Sequence, residues 1–78
     1  MKRAYRTKWG GVTSIVAAET ASQARYRTKE TANEAGYEPK WIEIHVLRAP
    51  KHDAWAAVDT TGRLWDESYL PKPTTNER

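Results

Sequence analysis

The sequence predicts a small α+β domain, built as a β-β-α-β unit with a short C-terminal hairpin, in which one helix packs on a small sheet. Two glycines divide an alternating stretch into two strands, a capping pattern begins a helix, and a second alternating stretch follows that helix. A chain of 78 residues is too short for two cores, so residues 1–70 are expected to form a single domain.

The first two strands are predicted from Gly10-Gly11, because both glycines can take the positive φ of a two-residue hairpin turn. This turn fixes which residues face one another across the hairpin, and the expected pairs are Trp9 with Val12, Thr7 with Ser14, and Tyr5 with Val16. The apolar members of these pairs share the face that we expect to meet the core.

A helix is predicted from Ala21 to Ala35. Thr20 and Gln23 have the spacing of a capping box at its start. Gly36 suits the left-handed residue after a helix, and Pro39 prevents the helix from resuming. Its face toward the sheet carries small side chains, namely Ala21, Ala24, Thr28, Ala32 and Ala35.

A third strand is predicted over residues 40–48, where β-branched residues alternate with other side chains in period two. A right-handed crossover places this strand beside the first one, which gives the sheet order 2-1-3. The predicted core consists of Tyr5, Trp9, Val12, Val16, Ala24, Ala32, Ile42, Ile44 and Val46.

The region after Pro50 is predicted as the C-terminal hairpin, since residues 54–58 and 63–66 flank a turn-like Asp-Thr-Thr-Gly sequence. A short helix over residues 53–58 is the alternative. Residues 71–78 contain two prolines and otherwise only polar or charged side chains, so a disordered tail is expected there.

Positive charge is concentrated in the first part of the chain. Residues 1–48 contain nine Lys or Arg and five Glu, a net +4, whereas residues 49–78 contain four bases and five acids, a net −1. A basic half with an overall pI near 9.4 indicates attraction to phosphate polyanions.

The sequence does not predict an enzyme, a metal site or a cofactor site. There is no cysteine, and the two histidines, His45 and His52, have no recognisable metal-ligand spacing. The serines lie in no nucleophile motif, and Gly10-Gly11 closes a hairpin instead of opening a helix that could hold phosphate.

Two surfaces are candidates for binding. On the sheet face opposite the helix, bases could stack on aromatic side chains while basic residues meet phosphates. The alternative, which we favour, is that Trp55, Leu64, Trp65, Tyr69 and Leu70 cover this face as a second small core. The helix also has an outward polar and basic stripe. The predicted nucleic-acid-binding residues are Arg6, Lys8, Arg25, Lys29 and Trp41.

Four stretches within residues 3–50 carry a resemblance: Trp9-Gly10-Gly11, residues 18–26, residues 34–37 and residues 42–50. In these stretches the chain resembles small uncharacterised proteins encoded by phages and prophages. The resemblance implies an accessory protein of unknown role and brings no site residues with it.

The leading hypothesis is a non-enzymatic accessory module that binds nucleic acid through its basic N-terminal half. The alternative is a protein-protein interaction module, which the four tryptophans of the chain motivate. Its exposed Trp/Leu surface would bind a host or virion protein or a second copy of the chain. With no signal-like or membrane-length apolar stretch, we expect a cytoplasmic location, in the host cell if phage-encoded, and no membrane partner.

Overall fold

A central antiparallel sheet lies between a helix and the C-terminal segment in the computed structural model, which describes residues 1–70. Its strands are β1 (Arg3–Trp9), β2 (Val12–Ala18) and β3 (His45–Arg48), and its helices are α1 (Ala21–Glu34) and α2 (Asp53–Val58). The strand order is β2-β1-β3, with β1 antiparallel to both neighbours. The α+β class, the β-β-α-β order and the predicted strand order are confirmed.

The N-terminal hairpin has the predicted register, including the pairs Tyr5 with Val16 and Trp9 with Val12. Both turn glycines have positive φ, 59° at Gly10 and 79° at Gly11, as a two-residue turn requires. Val12 is 63% exposed, so its assignment to the core is wrong. It lies beside the turn, where a groove of about 300 Å³ runs between the hairpin and the end of α1.

Helix α1 begins at Ala21 as predicted and ends at Glu34, one residue before the predicted end, with Ala35 as its C-cap. Thr20 Oγ1 accepts a hydrogen bond from the Gln23 backbone N–H at 3.0 Å, and the Gln23 side chain accepts one from the Glu19 N–H at 2.8 Å. At the other end Gly36 has φ 94°, and the Tyr37 N–H donates to the Ala32 carbonyl at 2.9 Å. This is the Schellman arrangement that a glycine after the helix permits.

The third strand is shorter than predicted, because β1 ends at Trp9 and has no residue left to pair with residues 40–43. Because Lys8 pairs with His45 in an antiparallel register, residues that precede Ile44 would lie opposite the hairpin turn and beyond it. The chain instead forms a 3-10 turn over Trp41–Glu43. Ile42 is 83% exposed and does not belong to the core, whereas Ile44 is buried.

The predicted C-terminal hairpin is wrong, and the alternative helix over residues 53–58 is present as α2. Alanine is the best helix former, and Pro50 begins a 3-10 turn that leads directly into α2. Trp65 pairs with the sheet as an isolated residue, through backbone hydrogen bonds of 2.7 and 2.9 Å to Ile15. Residues 71–78, the predicted tail, lie outside the described residues.

The core has two layers, one on each face of the sheet. Tyr5, Val16, Ala18 and Ala24 form the layer between the sheet and α1, and Val46 and Leu64 pack at its edge. The opposite layer contains Ala4, Ile15, Ala17, Ala49, Ala56 and Leu70, with Trp55 and Trp65 packed against it.

The expected second core is therefore confirmed for Trp55, Trp65 and Leu70. The prediction that Leu64 and Tyr69 belong to this second core is wrong, because Leu64 packs on the other face of the sheet and Tyr69 is exposed. Within residues 1–70, neither helix is long and apolar enough to cross a membrane.

Candidate nucleic-acid interface

One predicted site residue, Arg6, holds the C-terminal segment on the sheet. Its Nη2 lies 2.9 Å from Glu67 Oε2, and the same oxygen is 2.8 Å from His52 Nε2 and 3.2 Å from Lys51 Nζ. The hydrogen bonds from His52 and Arg6 lower the pKa of Glu67 to about 2. Arg6 is thus already paired with a carboxylate, and the structure does not bring it together with the other predicted cations.

A cleft of about 630 Å³ lies where the hairpin turn, β3 and α1 approach one another. We call it the basic cleft, and it is lined by Lys8, Trp9, Gly10, Gly11, Arg25, Glu43, His45, Val46 and Leu47. Two predicted site residues, Lys8 and Arg25, therefore border the same cavity although they belong to different elements.

The positions of the basic side chains follow from the fold. Lys8 pairs with His45 across β1 and β3, which places both at the same end of the sheet. Arg25 reaches the cleft from the first half of α1, and its guanidinium lies 5.7 Å from the centre of the Trp41 ring. The predicted residues Trp41 and Lys29 do not line the cleft. Trp41 is 41% exposed and lies beside the cleft under Arg25, and Lys29 follows Arg25 by four residues on α1.

These cations are not neutralised by nearby acids. Within residues 1–70, no carboxylate oxygen lies within 4.0 Å of the charged nitrogens of Lys8, Arg25 or Lys29. Glu43 is the one acid in the cleft lining, and its Oε1 accepts a hydrogen bond from the Lys40 N–H at 3.2 Å. The cleft therefore carries a surplus of positive charge that favours anions.

The Arg25 side chain lies against an aromatic ring. Its Nε is buried and has no hydrogen-bond partner within the described residues. The contact with the Trp41 ring is a cation-π arrangement, which orders the guanidinium plane without neutralising its charge. An ordered Arg with free donors suits phosphate, since guanidinium geometry matches two phosphate oxygens.

The predicted nucleic-acid-binding residues do not include most of the cleft lining, for example Gly10, Gly11, His45 and Leu47. The register between β1 and β3 places His45 beside Lys8, and this register was not readable because it depends on contacts distant in sequence. Leu47, which lies on β3 in the cleft lining, is 68% exposed, and the exposed Ile42 lies on the 3-10 turn that precedes β3.

The residues from 1 to 70 include no group of three His, Asp or Glu side chains that could hold a metal ion. Comparison of the chain with protein-family models, with curated proteins and with solved structures finds no match. We therefore infer function from the residues of the chain alone.

Proposed function

We propose that the protein is a small non-enzymatic accessory module, phage-encoded and cytoplasmic in its host, that binds nucleic acid through the basic cleft. One observation carries the proposal: Lys8 and Arg25 border the same cleft without a carboxylate partner among residues 1–70, and an exposed tryptophan lies under Arg25. Cations beside an accessible aromatic ring are the combination that phosphates and bases require.

The charges set the expected strength and salt dependence of binding. Lys8 and Arg25 in the cleft, together with Lys29 one turn farther along α1, would each meet a phosphate, which carries no sequence information of its own. Three such contacts give a slope of log affinity against log salt of about −2 for a single strand and about −2.7 for a duplex. Binding is therefore expected to be weak at physiological salt and to strengthen at low salt.

The test is a fluorescence-anisotropy titration of labelled single-stranded and duplex DNA and RNA over a range of salt concentrations. The double variant Lys8→Gln/Arg25→Gln is expected to bind weakly and to lose about 1.4 of the single-strand salt slope. Arg3→Gln/Arg63→Gln is the matched control, because it removes the same charge from residues that do not line the cleft and have no carboxylate partner among residues 1–70. The control should keep the parent slope.

Two outcomes would refute this function. If the parent protein binds none of the nucleic acids at low salt, the proposal fails entirely. If both double variants lose the same affinity, binding follows total charge and the cleft is not the site. Circular dichroism of all variants establishes that each retains the fold.

A protein-binding role is the second candidate, favoured by the exposed Ile42, Leu47 and Trp41. Apolar and aromatic side chains that remain outside the core are typical interface anchors. The partner would be a host or virion protein, or a second copy of this chain. Sedimentation over a range of concentrations tests the homodimer: Ile42→Ser should shift a dimer toward monomer, and a parent protein that is monomeric throughout removes this form of the candidate.

A further inference from the structure

We infer that the basic cleft takes single-stranded nucleic acid, with an unpaired base stacked beside Arg25 and Trp41 and its phosphates on Lys8 and Arg25. This inference rests on the proposed function and specifies its substrate. It draws on the volume of the cleft, on the surfaces that the fold covers, and on the aromatic side chains around the cations.

The cleft has the size of a nucleotide site. A cavity of about 630 Å³ lies within the range of pockets that hold a small molecule. A duplex presents its phosphates along two ridges separated by grooves about 12 and 6 Å wide, with the bases paired inside. A single strand can instead turn one base and its phosphate into a concave site, because its backbone bends freely and its bases are unpaired.

The fold also covers the middle of the surface with which a hairpin would read duplex DNA. A two-stranded ribbon enters the major groove with one open face. Here the C-terminal segment covers the outer face at Ala4 and Ile15, and α1 covers the inner face at Tyr5 and Val16. The end of the ribbon next to the turn, with Lys8, Val12 and Thr13, keeps exposed surface. The hairpin therefore contributes its turn and its end to binding, where Lys8 and the two glycines line the cleft.

Aromatic rings and small residues border the cations. Trp9 lines the cleft and is held edge-on by Tyr37, with 5.6 Å between ring centres. Trp41 lies under the Arg25 guanidinium and keeps exposed surface. A base can therefore extend this stack, either on the free side of the Trp41 ring or on the free side of the guanidinium. At Gly10 and Gly11 there is no side chain, and a Cβ there would meet no described atom within 4 Å, so a sugar-phosphate can approach the backbone closely.

The experiment compares three ligands of the same length: oligothymidine, the same strand with abasic sites in place of its bases, and a duplex. Oligothymidine and the abasic strand have equal phosphate charge, so their difference reports base contacts alone. We expect the abasic strand to bind about 5- to 150-fold more weakly, the factor that corresponds to one stacked base. The duplex should bind more weakly than oligothymidine at every salt concentration, and oligouridine compares RNA with DNA.

Substitutions test whether the affinity difference between oligothymidine and the abasic strand arises at the basic cleft. Trp41→Ala should bring the affinity for oligothymidine down toward that for the abasic strand, while Trp41→Phe should retain most of the difference. Tyr69→Ala is the matched control, since Tyr69 is an exposed aromatic residue of the C-terminal segment, whereas Trp41 lies under the Arg25 guanidinium. It should bind all three ligands as the parent does.

The possible failures are distinguishable. Equal affinity for oligothymidine, abasic strand and duplex would overturn the single-strand inference and leave a phosphate-binding function intact. A difference that persists in Trp41→Ala would also overturn it, because the base would then contact another part of the protein. If none of the ligands binds, the proposed function itself fails.

Discussion

Truncation of Ile15 to alanine should strongly destabilise the fold, because this side chain joins the sheet to the C-terminal segment. Ile15 is in β2, is 0% exposed, and belongs to the layer that contains Ala56 and Leu70. The change removes every side-chain atom beyond Cβ. At about 0.8 kcal/mol for each buried CH₂ group, the transfer cost alone is about 2.4 kcal/mol.

The cavity left behind raises this cost, because the surrounding backbone closes it only in part. We therefore expect a loss of about 3–4 kcal/mol, within the range of about 2–5 kcal/mol for comparable truncations. A domain of this length has a total free energy of unfolding of about 4–12 kcal/mol. The melting temperature should accordingly fall by roughly 12–30 °C.

Urea unfolding, monitored by tryptophan fluorescence and far-ultraviolet circular dichroism, measures the effect. Ile42→Ala is the matched control: it makes the same chemical change at an exposed position, and its effect should stay within about 0.5 kcal/mol. If the two variants lose equal stability, or if Ile15→Ala changes nothing, the C-terminal segment does not cover the sheet as described. An unchanged m-value would show that the denatured state is the same in each case.

Two further predictions concern an ion pair and a helix end. The hydrogen bond from Arg48, together with that from the Ala4 N–H, lowers the pKa of Asp53 from 3.8 to about 2. Asp53 therefore adds stability above pH 3.8, and this stability is lost as the pH falls toward 2. Asp53→Asn should flatten the acid side of a plot of unfolding free energy against pH. An unchanged plot would contradict this role of Asp53. Gly36→Ala should cost about 1–2 kcal/mol in urea unfolding because φ is 94°, whereas no loss would mean that residue 36 can leave this conformation.

The parts of the fold that were predictable from sequence depend on neighbouring residues. Gly10-Gly11 determines the hairpin turn and its register through local backbone geometry. Thr20 and Gly36 determine the two ends of α1 through hydrogen bonds to residues within one or two turns. Such signals are readable because each is contained in a few consecutive residues.

The parts that were not predictable depend on residues distant in sequence. The alternation at Ile42 and Ile44 is the same whether or not β1 is long enough to pair with it, so the start of β3 could not be read. The same holds for the candidate site. Arg6 and Lys8 lie two residues apart on the same strand face, yet Arg6 meets Glu67, 61 residues away, and Lys8 remains available in the cleft.

The central position of β1 has a consequence for the way the protein folds. β1 is made early in synthesis, but its partner β3 ends at Arg48, and the residues that cover its outer face extend to Leu70. Contacts of such long sequence separation raise the contact order, which slows folding relative to a helical bundle of equal size. The hairpin therefore leaves Ala4 and Ile15 uncovered until residues 49–70 have been synthesised and have folded onto it. Changes that weaken the packing of residues 49–70 should prolong this exposure after synthesis and increase aggregation.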